Sequence, residues 1–209
     1  MTTIPLPANP VPAPRRLVFW HQKGGTGKTT LAIATAVALA RAGARVMLLD
    51  TDPQGTATAW GERWAEHWGL AVRAHDGAGL WQGVERLGAR FDWIIVDCPP
   101  LIAANTLEAV AGAQHLLLPV RPALPDLWAL EAVAQVLADQ AAIAAGAALH
   151  ARVVFNQTRD EELAPLRQLV LDLGLRALDA PIPAAAAWAD LFAGAPPPPT
   201  LAPLLAALG

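Results

Sequence analysis

His21-Gln22-Lys23-Gly24-Gly25-Thr26-Gly27-Lys28-Thr29-Thr30 stands between the apolar run Leu17-Val18-Phe19-Trp20 and an alanine-rich stretch that reaches Ala42 before Gly43. The apolar run reads as a buried strand, and Thr29 to Ala42 as a helix closed by Gly43. A strand entering a glycine-rich turn and then a helix aims backbone N–H groups and the positive helix end at one place. That place suits the phosphates of a nucleotide. Gly24, Gly25 and Gly27 let the backbone curl inward around such a ligand, with Thr26 and Thr30 completing the cradle. Lys28 can reach the β and γ phosphates, and the Thr29 hydroxyl is placed to ligate Mg²⁺. Lysine usage marks the same segment, because of 15 basic residues only Lys23 and Lys28 are lysine. A compact ammonium enters a tight loop where a planar guanidinium does not.

Working outward, the pattern alternates. Strands are expected at Arg45–Leu49, Leu70–Ala74, Trp93–Val96, His115–Pro119, Arg152–Asn156 and Arg176–Leu178. Helices are expected at Thr56–Trp68, Leu80–Leu87, Asn105–Ala111, Asp126–Ala144 and Glu161–Leu171, with short ones flanking Pro196–Pro199, the later over Leu201–Leu208. Each strand reads as short and apolar on both faces, as a parallel sheet covered by helices on both sides requires. The expected fold class is α/β, a mostly parallel central sheet with helices on both faces, of the P-loop NTPase type.

The chain has 209 residues, enough for one substantial core. Residues 1–14 hold five prolines and read as a flexible arm, leaving 15–209 as a single domain. The single cysteine, Cys98, excludes an internal disulfide framework and reads as a small buried apolar residue. No run of about eighteen residues is free of polar groups, and no signal-peptide core is present, so the expected location is the cytoplasm, without a membrane. Residues 1–121 carry 11 Lys+Arg against 9 Asp+Glu, a balance of +2, whereas residues 122–209 carry 4 against 9, a balance of −5. An acidic C-terminal part is a poor footprint for nucleic acid. Trp60, Trp64 and Trp68 recur along one helical face and read as core or interface packing.

The usual P-loop pattern wants glycine where Gln22 stands, followed here by the additional Lys23. The segment resembles the deviant Walker A motif of the ParA/MinD group of ATPases, which partition plasmids and chromosomes or position cell-division machinery and other cargo. The resemblance implies that Lys23 reaches across a dimer to the partner's nucleotide, making Lys23, Lys28 and Asp52 the catalytic set. Leu48-Leu49-Asp50-Thr51-Asp52-Pro53 is similar to the family's first switch, where Asp52 would orient the attacking water and Asp50 support the metal region. Asp97, before Cys98-Pro99-Pro100, is similar to the Walker B aspartate that holds a magnesium-bound water. Thr29, Asp50 and Asp97 are thus the metal candidates. Singly, each aspartate reads as a strand-end cap; together with the loop they read as a site. Asn156 resembles the asparagine that contacts adenine and reads equally as a turn residue.

Pro119 to Ala129, with Arg121, Asp126 and Trp128, looks like the small plasmid-partition type, where this stretch lies near the dimer interface. The resemblance implies an ATP-hydrolysing, dimerising switch for DNA partition or cargo positioning, slow and stimulated by a small partner protein, with ATP and Mg²⁺ as cofactors. The alternative is an ATP-locked dimeric scaffold with negligible hydrolysis. The family's nonspecific DNA binding is also implied, but Pro181 to Trp188 has alanines where arginine is expected, and no basic residue follows Arg176. This argues against strong binding. The Leu201–Leu208 helix carries no Lys or Arg and is expected to pack on the body rather than on a membrane.

Overall fold

Along the first strand, β1 (Arg15–Phe19), side chains alternate between two separate cores. Leu17 and Phe19 join one cluster, while Val18, with Trp20 just beyond the strand, joins the other. All four are fully buried, which only a sheet covered on both faces allows. The computed structural model describes residues 13–87, 90–143 and 149–208. Most of the arm expected over residues 1–14, and Ala144 at the expected end of the fifth helix, lie outside the described residues.

After β1 the chain runs through α1 (Lys28–Arg41), β2 (Val46–Asp50), α2 (Thr56–Trp68), β3 (Ala71–Ala74), α3 (Leu80–Leu87) and β4 (Trp93–Asp97). It continues through α4 (Ala104–Ala111), β5 (His115–Val120), α5 (Leu124–Ile143), β6 (His150–Thr158), α6 (Ala164–Asp172), β7 (Ile182–Pro183), α7 (Ala187–Asp190) and α8 (Ala202–Ala206). The strands form one sheet in the order β3-β2-β4-β1-β5-β6-β7, and every pair is parallel. Helices α1 and α2 and the C-terminal segment cover the face of Leu17 and Phe19; α3 to α6 cover the other. Because β4 and β5 flank β1, the loops leaving those two strands stand on either side of the loop leaving β1. Ligands of parallel α/β sheets bind at this edge.

The sequence misplaces the last strand. Arg176–Leu178 contributes only an isolated bridge from Ala177 to Val153, and the edge strand is Ile182–Pro183, paired with Asn156 and Thr158. The guanidinium of Arg167 takes the carbonyls of Leu178 and Asp179 at 2.8 and 2.6 Å and ends the first segment. Proline, unable to donate to a ladder, is accommodated at an edge. Helix α6 likewise begins at Ala164 rather than Glu161. Pro165 suits its first turn, while the Glu161 carboxylate is occupied by the backbone N–H of Arg159.

The tryptophan stripe on α2 packs inward against the C-terminal segment. Trp60 and Trp64 donate to the carbonyls of Leu191 and Phe192 at 2.9 and 3.2 Å. Gly194 adjoins Trp64 so closely that a Cβ there would lie 2.6 Å from the indole. Leu201, Leu204 and Leu208 are buried in the same core, so the terminal segment packs on the body. Cys98 is also buried, and desolvation pushes its thiol up to about 12.

Candidate functional site

Gly27 shows why the phosphate loop needs glycine. Its φ is 97°, a left-handed value that side chains resist, and a Cβ would lie 2.2 Å from the Asn156 amide nitrogen. That amide, buried at the end of β6, donates to the Thr26 carbonyl at 2.8 Å. Gln157 donates to the Gly25 carbonyl at 3.0 Å from a backbone with φ 59°. The end of β6 therefore braces the loop from below. Gln157 was invisible as a site residue in the sequence, where nothing local marks a left-handed glutamine. Gly27, Thr30, Asn156, Gln157, Ala184, Ala185 and Trp188 also line a cavity of about 130 Å³ beside the first turn of α1.

The two lysines diverge. Lys28 is buried and its Nζ donates to the Lys23 carbonyl at 3.1 Å. Burial lowers its pKa, while Asp97 and Asp52 oppose that shift. Lys23 stays 31% exposed at the rim, where its Nζ meets Asp126 Oδ2 at 2.9 Å. His21 lies beneath the loop. Its Nδ1 accepts the Lys23 N–H at 3.1 Å, and burial, with the neighbouring Lys28, brings its pKa down to about 4.

The three aspartates differ in what holds them. Asp50 is committed, its Oδ2 accepting from the Thr58 N–H at 2.7 Å and the Thr58 hydroxyl at 3.0 Å, and its Oδ1 from the Asp52 N–H at 3.1 Å. It ties the turn after β2 to α2, and Oδ1, with one accepted hydrogen bond, keeps acceptor capacity. Asp52 is half-buried; its Oδ1 accepts the Gln54 N–H at 2.9 Å, and it lines an open cleft of about 670 Å³ with Asp50, Thr58 and His75. Asp97 is 1% exposed, and neither carboxylate oxygen has a hydrogen bond of good geometry among the described residues. Burial raises its pKa to about 7 against the pull of the Thr29 hydroxyl and Lys28.

A buried carboxylate without a partner is costly unless a cation or hydrogen-bond donor arrives with the ligand. Among the described residues no group of three or more His, Cys, Asp or Glu is placed to hold a metal ion. The donor set fits magnesium instead, which keeps waters and shares one or two protein oxygens with substrate phosphates. Thr29 and Asp97 would hold it, and it would neutralise phosphate charge there.

Leu101 and Ile102, on the loop leaving β4, and Leu124 and Trp128, after β5, are between 43% and 61% exposed. The site thus has an apolar rim on both sides. No helix among the described residues is long and apolar enough to cross a membrane.

Over 170 residues the chain is 35% identical to the chromosome-partitioning ATPase Soj of Thermus thermophilus, covering 63% of this chain and 64% of that protein. Over 118 residues it is 39% identical to the maintenance of carboxysome distribution protein A of Gloeobacter kilaueensis, covering 56% of this chain and 54% of that protein. It therefore spans less than two thirds of the length of either relative. The solved structure of apo McdA from Cyanthece matches with a TM-score of 0.78 at 18% identity, covering 93% of this chain and 99% of that one, a likeness of fold. The CobQ/CobB/MinD/ParA nucleotide binding domain profile matches residues 17–193, and the chain belongs to that family of P-loop proteins.

Proposed function

We propose that the chain is a cytoplasmic ATP-hydrolysing switch that dimerises on ATP and serves partition of DNA or positioning of a cargo, with a small partner protein setting its rate. The observation that carries this reading is the divergence of the two lysines. Lys28 turns inward beneath the loop, within electrostatic reach of Asp97 at the end of β4 and of Asp52 just beyond β2, as suits a phosphate ligand. Lys23 leaves the same loop for the rim, where a second subunit would meet it. The apolar rim of Leu101, Ile102, Leu124 and Trp128 supports a partner copy on this face.

In this reading the backbone N–H groups from Gly24 to Thr30 and the ammonium of Lys28 bind the phosphates, while Thr29 and Asp97 hold Mg²⁺ with Asp50 nearby. Asp52 orients water against the γ phosphate, and Asn156 with its cavity receives the adenine. The test is Asp52→Ala, measured for ATP affinity, turnover and sedimentation. We expect affinity retained, hydrolysis slowed about a hundredfold, and the ATP-bound dimer persisting. A parent that turns over ATP no faster than this variant would replace the switch with an ATP-locked scaffold.

A further inference from the structure

Asp126, in the first turn of α5, is 1% exposed and carries three charge-assisted contacts. Its Oδ2 accepts from Lys23 Nζ at 2.9 Å and from Arg121 Nη2 at 3.2 Å, and its Oδ1 accepts from Arg121 Nε at 3.2 Å. Arg121 thus spans both oxygens with a guanidinium fork, and Lys23 adds a second cation to one of them. A buried carboxylate needs a cation, and the fork supplies one without Lys23. Lys23 makes one contact to the carboxylate where Arg121 makes two, so although the Lys23 side chain is the less exposed of the two cations, 31% against 40%, it is the one held by fewer bonds and able to leave.

We infer that Asp126 is a resting anchor for Lys23, holding its ammonium on its own subunit until ATP and a second copy draw it away, with Arg121 keeping Asp126 compensated after Lys23 has gone. This rests on the reading of Lys23 as a residue that acts across a dimer. Asp126 is a positioning residue, since it acts through Lys23. The anchor opposes dimerisation, because each subunit gives up one intrachain ion pair to form the dimer contact. It also keeps the ammonium from unproductive contacts in the monomer.

The two cations on Asp126 make the inference testable in both directions. Asp126→Asn removes the anchor, and Arg121→Gln leaves Lys23 as the carboxylate's sole cation, tightening the hold. Full-length protein would be followed by sedimentation velocity over a dilution series with Mg²⁺ and a non-hydrolysable ATP analogue, with analogue binding to the dilute monomer measured in parallel. We expect the dimer dissociation constant to fall roughly tenfold in Asp126→Asn and to rise by a similar factor in Arg121→Gln, with monomer affinity unchanged in both. Adding Asp126→Asn to Lys23→Ala is expected to give no gain. A merely structural role for the cluster would move both variants the same way. That outcome, or a gain that survives in the Lys23→Ala background, overturns the anchor while leaving the switch standing. A parent that does not dimerise with the analogue overturns both.

Discussion

Asp97 and Asp126 are equally buried, one at the end of β4 and the other beyond the end of β5, and they are compensated in opposite ways. Asp97 has no partner of good geometry, whereas Asp126 has two cations. The phosphate loop leaves β1 between them. The contrast separates two uses of a buried carboxylate. On the β4 side burial pushes the carboxyl towards its neutral form, with its pKa raised to about 7; on the β5 side two cations meet one carboxylate, which in the proposed reading lets one of them be given up. Stability is lowered on the first side and kept in reserve on the second.

The strongest way to break this contrast is to remove the cation that serves the Asp97 side. Lys28→Ala should lower ATP affinity about a hundredfold, because phosphate charge then lacks its charge-assisted donor in the loop. Titration of a labelled ATP analogue measures it, and unchanged affinity would remove the nucleotide site from this edge. Asp97→Asn should act with two signs. The free chain gains about 1–3 kcal/mol, a few degrees in Tm, as an unpartnered charge leaves the core. The additional protection by ATP and Mg²⁺, about 2.7 kcal/mol at a hundredfold excess over Kd, is lost. Thermal unfolding with and without Mg²⁺-ATP reads both, and a destabilised free chain would show that Asp97 is already satisfied.

The smallest effect concerns His21. Its pKa is lowered from 6.5 to about 4, so the unfolded chain binds the additional proton between those values. Stability is therefore full well above pH 6.5 and falls as the pH drops, by about 1.4 kcal/mol between pH 8 and 5.5. His21→Asn should flatten that portion of the profile in denaturant titrations. A profile unchanged by the substitution would place the acid sensitivity elsewhere.

The β1 loop and the aspartates ending β2 and β4 were legible in position because their signals are local: apolar strands end in polar residues, and the glycines announce the turn. What was not legible depends on distant partners. The tie of Asp50 to Thr58, on the following helix, has no mark in the sequence. The pair of Lys23 and Asp126 joins positions 103 residues apart. Near the C-terminus, alanine and proline suppress periodicity, so Arg176–Leu178 looked more strand-like than Ile182–Pro183. What decided the matter was Arg167 on the carbonyls of Leu178 and Asp179, a tertiary contact without a sequence signature.

The brace from β6 bears on the speed of nucleotide capture. Asn156 and Gln157 hold the carbonyls of Thr26 and Gly25, so the turn is shaped before any ligand arrives. Its ordering entropy is spent when the chain folds rather than when nucleotide binds. Association should then proceed without a slow isomerisation of the loop, so that the observed rate rises linearly with nucleotide concentration instead of levelling off.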